Sequence, residues 1–303
     1  RGPARVRTLY LTGTSGAPDM VRAVTDSAGE ALAHAVLSAS AGPQETVEAA
    51  YEDLSASLQI DVLAVVGGTY ADLVMADHPV LYWPFGDSED HDQTWKFTPD
   101  HSGNDHHGTI SGRASIQLGG VGPDGTGSIM FRNSPGGKVT ADGLPTPQDE
   151  YVTVDLWLSW DGTYGDMVAG FANEEGTRGY DLMFFSNEGL GFNVGNSTLW
   201  GIPTAEADKI KGRWAHIVAA FHTENPRLSR LWIDGEEQTL SDLRADNDRP
   251  MPTTVDVDFT ALQISGWPVD DSYNLARSRV DEVALYHGIP DGILDRYAMG
   301  SAN

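Results

Sequence analysis

Short runs of alternating apolar and polar residues, broken by Gly, Asp and Asn, fill most of this chain and leave little room for long helices. The clearest is Tyr151-Val-Thr-Val-Asp-Leu-Trp-Leu-Ser159. Val152, Val154, Leu156 and Leu158 share one face of a strand; Tyr151, Thr153, Asp155, Trp157 and Ser159 share the other. Similar runs begin at Ser128, Tyr180, Leu190, Trp214, Leu228 and Ala261. Asp161-Gly162, Asn187-Glu188-Gly189 and Asp234-Gly235 supply the turn chemistry between them. Two segments from opposite ends of this region, Tyr70–Asp87 and Arg279–Gly288, have the same strand-like character. They read as the first and last strands of one antiparallel sandwich, lying side by side. Val255-Asp-Val-Asp-Phe259 reads as a further strand with one solvated face. A single short helix is predicted from Pro290 to Met299, with Pro290 at its start and Ile293, Leu294 and Tyr297 on its apolar face.

Residues 1–68 differ from the rest. They are rich in Ala, Ser, Val and Leu and contain no Trp. Val36–Gly42 is echoed by Asp53–Gln59, but two echoes do not make a repeat array. Leu58, Ile60, Val62 and Ala64 alternate as in a strand, whereas Val47, Ala50, Tyr51 and Leu54 share a helical face. A small β-rich attachment segment over 1–68 is the favoured reading and a helix over Val47–Leu58 the alternative. Gly67-Gly68 serves as the hinge into a second domain over 69–303.

Acidic residues outnumber basic ones by 44 to 19, a net charge of −25 that repels nucleic-acid phosphate. Thirty of the acids are aspartate, which favours turns and metal sites over helices. There is no cysteine, so disulfides, thiolate metal sites and a Cys nucleophile are excluded. No apolar run approaches the ~18 residues of a membrane span, so membrane insertion is not expected. The first residues, Arg1-Gly-Pro-Ala-Arg5, lack the apolar core of a signal peptide.

Seven segments in order then resemble the laminin-G-like (concanavalin A-like lectin/glucanase) jelly rolls. They are Pro79–Asp87, Asp100–Thr109, Gly127–Phe131, Val152–Trp157, Gly212–Phe221, Leu231–Gly235 and Val280–Tyr286. The fold implied is mainly β, an antiparallel jelly-roll sandwich preceded by the small β-rich segment. The Tyr70-Ala-Asp-Leu-Val74 stretch and the Ala/Ser-rich leader further resemble minor tail or other virion surface proteins of tailed bacteriophages. Most members of the fold are binding modules and a minority are glucanases, so the fold alone does not decide function.

The resemblance implies a structural Ca²⁺ where the entry segment, the Asp100–Asn104 loop and the last long strand meet. The matching positions are Asp87, Asp100, Asn104 (through its carbonyl) and Asp281. The alternative is that Asp100 and Asn104 cap a turn and Asp281 pairs with an arginine such as Arg113. His91, His101, His106 and His107 crowd one loop, where turn histidines are favoured over a zinc site. The Glu-x-Asp-x-(x)-Glu run of the resembled glucanases is absent, and Asp256 and Asp258 have no glutamate beside them. Gly13-Thr-Ser-Gly16 is one residue too short for a nucleophile elbow.

Trp95, Tyr164, Trp200, Trp267 and Tyr273 stand in or beside predicted loops with polar neighbours, and are the candidates for stacking on sugar rings. Trp83, Trp157, Trp160, Trp214 and Trp232 read as strand or core residues. The expected function is a non-enzymatic adhesion or structural protein of a phage virion surface. Its partners would be other virion proteins, further copies of itself and a host-surface glycan. The alternatives are a carbohydrate-binding module of a secreted bacterial protein and, behind it, a glycoside hydrolase.

Overall fold

The computed structural model describes residues 69–86, 97–118, 127–132, 136–243 apart from Glu174, Arg178, Asn196 and Thr198, 249–269 and 272–301, and the backbone of four strands within 1–68. The chain divides into two compact units, Arg1–Thr69 and Tyr70–Asn303.

The first unit holds β1 (Val6–Thr12), β2 (Pro18–Val24), β3 (Gln44–Tyr51) and β4 (Leu54–Asp61) in one antiparallel sheet of order β2-β1-β3-β4. β3 and β4 form a hairpin in which Val47 lies opposite Leu58 and Tyr51 opposite Leu54. The described residues of Val47–Leu58 are therefore strand, not the helix that their spacing also allowed. The Val36–Gly42 echo and residues 62–68 lie outside the described residues.

The second unit begins with α1 (Tyr70–Ala76) and runs on through β5 (Leu81–Trp83), β6 (Phe97–Thr98), β7 (Gly108–Ser111), β8 (Ala114–Leu118), β9 (Gly127–Phe131) and β10 (Lys138–Asp142). The central strands are β11 (Tyr151–Ser159), β12 (Asp166–Ala172), β13 (Gly179–Phe185), β14 (Gly189–Val194) and β15 (Trp200–Pro203), followed by α2 (Thr204–Ala207). The last are β16 (Trp214–His222), β17 (Arg230–Ile233), β18 (Glu236–Glu237), β19 (Ser241–Asp242), β20 (Ala261–Ile264), β21 (Arg279–His287) and α3 (Ile293–Gly300).

These strands form two antiparallel sheets. One has the order β19-β15-β14-β13-β12-β20-β10-β7-β6; the other has β18-β17-β16-β11-β21-β9-β8, with β5 also paired to β21. The alternation in β11 holds: Val152, Val154, Leu156 and Leu158 enter the core between the sheets. Phe171, Tyr180 and Phe192 of one sheet surround Phe221 of the other at ring separations of 5.2, 5.0 and 5.0 Å. Trp160 stacks on Phe184 at 3.8 Å. Aromatic burial on this scale, at ~25 cal/mol per Å² of apolar surface, is what holds the two layers together. The turn at Asp234-Gly235 is a two-residue hairpin with both residues at positive φ (54° and 79°), the geometry that matches strand twist.

The first and last strands do lie side by side, with Tyr82 opposite Ala284 and Trp83 opposite Val283. The entry segment differs from the all-strand expectation. Tyr70–Ala76 is a helix, because Tyr70 and Val74, four residues apart, bury one face against Tyr82, Trp157 and Tyr286. Val255–Phe259 forms no strand and joins neither sheet. Its apolar residues pack onto the core individually, so alternation there reflects burial without strand pairing.

α1 and α3 cover the outer face of β11 and β21 and enclose a charged network. Arg296 Nε donates to Asp155 Oδ2 at 2.7 Å, and its Nη1 to Asp77. His216 Nε2 lies 2.7 Å from Asp155 Oδ1. Burial alone would raise the Asp155 pKa, but His216 and Arg296 hold it below the usual carboxylate range.

Candidate functional site

Among the described residues, no helix caps the outer face of the other sheet at β12 and β13. On β13, Tyr180, Leu182 and Phe184 enter the core, so Asp181, Met183 and Phe185 face outward. A bulge in β12 between Met167 and Ala169 sends Val168 and Ala169 to the core and leaves Met167 outside, opposite Met183. On β14, Asn193 lies opposite Asp181. On β12, Gly170 lies opposite Asp181 on one side and Gln263 of β20 on the other. A polar row, Gln263–Gly170–Asp181–Asn193, thus crosses four strands beside an apolar row of methionines.

The loop after β20 folds back over this face. Ser265 takes a left-handed φ of 67°, and its hydroxyl donates to the Gly137 carbonyl at 2.7 Å while accepting from the Leu275 N–H at 3.0 Å. The Trp267 N–H donates to the Ser272 carbonyl at 2.5 Å, closing the loop, and the Met167 N–H donates to the Tyr273 carbonyl at 2.7 Å. Trp267 and Tyr273 then stand edge to face with ring centroids 6.3 Å apart. Together with Met167, Asp181, Met183, Phe185 and Asn193 they line a small recess. Gly179 makes room for the indole: a Cβ there would lie 2.5 Å from Trp267 Nε1.

Asp181 is fully buried, and neither of its carboxylate oxygens accepts a well-formed hydrogen bond. Burial pushes its pKa up to about 8, only partly countered by the nearby Trp267 indole N–H. At neutral pH it is a protonated acid that can both donate and accept. Asn193 turns its amide to the Ser197 carbonyl at 3.0 Å. Nearby, Asp166 is raised to about 7 by burial, despite the Ala276 N–H that it accepts at 3.1 Å.

Of the five aromatic residues singled out from the sequence, Trp267 and Tyr273 come together in this recess. Tyr164 instead packs against Trp160 and Phe184 and donates to Asp208 at 2.9 Å. Trp200 packs against the core from β15, and Trp95 lies outside the described residues. Asp181, Asn193, Met167, Met183 and Phe185 were not anticipated. A signal existed: once Tyr180, Leu182 and Phe184 take the core side, Met183 and Phe185 are apolar residues on a nominally solvated face, which marks a covered surface.

Of the four expected calcium positions, Asp87 lies outside the described residues and the other three are placed as follows. Asp100 Oδ1 accepts the Tyr82 and Ser102 N–H groups, both at 2.9 Å, and Oδ2 accepts the Ser102 hydroxyl at 2.8 Å and the His106 N–H at 2.9 Å. Burial opposes its charge, but these donors hold its pKa below the usual carboxylate range. Asn104 donates its amide to the Pro79 and Val80 carbonyls at 3.1 and 3.0 Å. Asp281 is buried in β21, opposite Trp157. Among the described residues no three His, Cys, Asp or Glu side chains gather to hold a metal, and Asp87 and His91 lie outside them. Asp100 and Asn104 fasten their loop to the residues at the start of β5 through these bonds.

The sequence profile of the concanavalin A-like lectin/glucanases superfamily matches residues 132–288. No curated protein matches the chain. Among solved structures, the receptor binding domain of botulinum neurotoxin D is 11% identical, covers 74% of this chain and superposes with a TM-score of 0.45. The binding domain of Paraclostridial Mosquitocidal Protein 1 is 12% identical over 74% of this chain, with a TM-score of 0.47. This chain spans about half the length of those two, 53% and 52%. Domain 4 of AbnA, an extracellular arabinanase from Geobacillus stearothermophilus solved with arabinotriose, is 17% identical, covers 72% of this chain and is itself covered over 98%, with a TM-score of 0.46.

Proposed function

The chain belongs to the concanavalin A-like lectin/glucanases superfamily, and from that premise we propose that its larger unit binds a saccharide in the recess under Trp267 and Tyr273. The observation that carries this reading is the pairing of two kinds of surface in one place. Two aromatic rings offer apolar faces, and beneath them Asp181 carries a carboxyl group whose hydrogen-bonding capacity is unspent. A sugar ring has the complementary layout, an apolar C–H face and a rim of hydroxyls. The reading is of binding without turnover. Glycoside hydrolysis needs two carboxyl groups about 5 to 9.5 Å apart, and among the described residues Asp181 is the one acid lining the recess.

A wider context follows from the sequence resemblance. The chain is a surface protein of a bacteriophage virion, the four-stranded sheet of the first unit attaches it to the particle, and copies act together so that weak binding of a host glycan suffices. A carbohydrate-binding module of a secreted protein is the competing placement. Mass spectrometry of purified particles separates them, since only the first puts this chain in the virion. For the recess itself, the full chain and its Trp267→Ala variant are read on a glycan array. Retention of a defined sugar by the parent chain and its loss in the variant are expected; equal binding by both would remove the recess from the account.

A further inference from the structure

Basic residues are scarce in this chain, 19 against 44 acids, yet three arginines line one groove at the rim of the sandwich. Arg113, Ala114, Ser115, Met130, Arg132 and Arg277 bound an open space of about 1120 Å³. Backbone pairing builds the group. Ala114 of β8 lies opposite Phe131 of β9, and one step outward the Arg132 N–H donates to the Arg113 carbonyl at 3.1 Å. On the other side of β9 the Phe131 N–H donates to the Ser278 carbonyl at 2.9 Å, which brings Arg277 alongside.

Like charges set opposite each other on adjacent strands oppose the pairing. Arg113 and Arg132 have no ion pair or side-chain hydrogen bond among the described residues to offset that repulsion. Arg277 is partly neutralised: its Nε donates to Asp161 Oδ2 at 2.8 Å, and its Nη2 lies 3.5 Å from Thr163 Oγ1. Both side chains are exposed and meet no acid among the described residues, so an anion from solution can reach them together.

We propose that this groove binds a tetrahedral oxyanion, the sulfate or phosphate ester group of a small ligand, through Arg113 and Arg132 with Arg277 as the third contact. Three guanidinium forks and the Ser115 hydroxyl supply more donors than the two oxygens of a carboxylate can accept, whereas an ester presents three free oxygens. The net charge of −25 repels an extended polyanion at long range. Within a Debye length, ~10 Å at 0.1 M salt, the local arginines dominate, so the ligand carries its charge at one point. The site shares no residue with the saccharide recess.

Calorimetry on the full chain at fixed ionic strength tests this with glucose 6-sulfate, glucose 6-phosphate, glucuronate and glucose. At least one ester is expected to bind about tenfold or more tightly than glucuronate, and the tighter of the two names the ester class. The double variant Arg113→Gln/Arg132→Gln is expected to lose about tenfold or more of that affinity. It removes a repulsion, so its melting temperature without ligand is expected to equal or exceed that of the parent. Heat from glucose itself belongs to the recess and is removed by Trp267→Ala, which leaves ester binding in place. Esters that bind no better than glucuronate, or a double variant that binds them equally well, would overturn the proposal.

Discussion

Asp155 and Asp181 occupy equivalent places, each fully buried in the middle of a central strand on the face turned away from the core, and the protein treats them in opposite ways. Asp155 lies under α1 and α3 with Arg296 and His216 bonded to its two oxygens, and its pKa is lowered. Asp181 lies under a loop with neither oxygen satisfied, and its pKa is pushed up to about 8. Position in the sheet therefore does not fix what a buried carboxyl does; the charges brought to it by neighbouring elements do. Where the partners are complete, the group fastens secondary structure. Where they are missing, burial dominates and raises its pKa.

The largest expected effect is on the satisfied side. Arg296→Ala strips Asp155 and Asp77 of the guanidinium and leaves the enclosed Asp155 carboxylate with His216 as its remaining partner. Losses from breaking a buried pair run to about 3–5 kcal/mol, and a urea denaturation curve of the variant should show a drop of that order. A change below about 1 kcal/mol, the range of exposed pairs, would mean that the network is solvated and the contrast with Asp181 is false.

Next in size is the pH dependence, in which the two groups have opposite signs. Asp181 has a folded pKa raised to about 8 from 3.8, so the folded state holds a proton that the unfolded state releases. Its favourable contribution is present below about pH 3.8 and is lost as pH rises towards 8. Asp155 has a lowered folded pKa, so its contribution is present above 3.8 and is lost as pH falls below that. Asp181→Asn should therefore stabilise the protein at pH 8, by on the order of 1–3 kcal/mol, and flatten the stability profile between pH 4 and 8. Denaturant midpoints at several pH values measure it. A variant with the parent's slope would show that Asp181 is ionised in the folded chain.

How far the sequence displayed this contrast depends on the range of the interaction. Alternation is local, so the two faces of β11, the core positions of β13 and the closing strand β21 were readable from residue order. Trp267 and Tyr273 were readable as aromatics in a polar loop. The partners of Asp155 were not: Arg296 is 141 positions away in sequence, and nothing local tells that it will meet this aspartate. Tyr70–Ala76 looked strand-like because Leu73 and Met75 alternate with polar and small neighbours. Its helical burial needs Trp157 and Tyr286, which arrive from other strands. The sequence of the Asp100 loop carries both readings, because a turn cap and a metal ligand use the same residue types. The four donors that converge on the Asp100 oxygens come partly from Tyr82 and His106, so local order does not display them.

On the open side the expected effects fall on ligand binding and leave the fold alone. Trp267 is only partly buried, so Trp267→Ala should cost little stability but about 2 kcal/mol of saccharide affinity, roughly thirtyfold, as for a central aromatic contact. Titration of the sugar identified on the array measures this. The smallest change is Gly179→Ala. Its new methyl would meet the indole Nε1 at 2.5 Å and reach to 3.4 Å from Asp181 Oδ2, while the core side of β13 is untouched. The indole is the movable partner, since it sits on a loop. The variant should therefore keep the parent's unfolding midpoint within about 0.5 kcal/mol, the usual range for substitutions away from the core, and still bind more weakly. If affinity stays the same while stability drops, Trp267 is a fixed packing residue and the loop side of the recess is as closed as the helix side of Asp155.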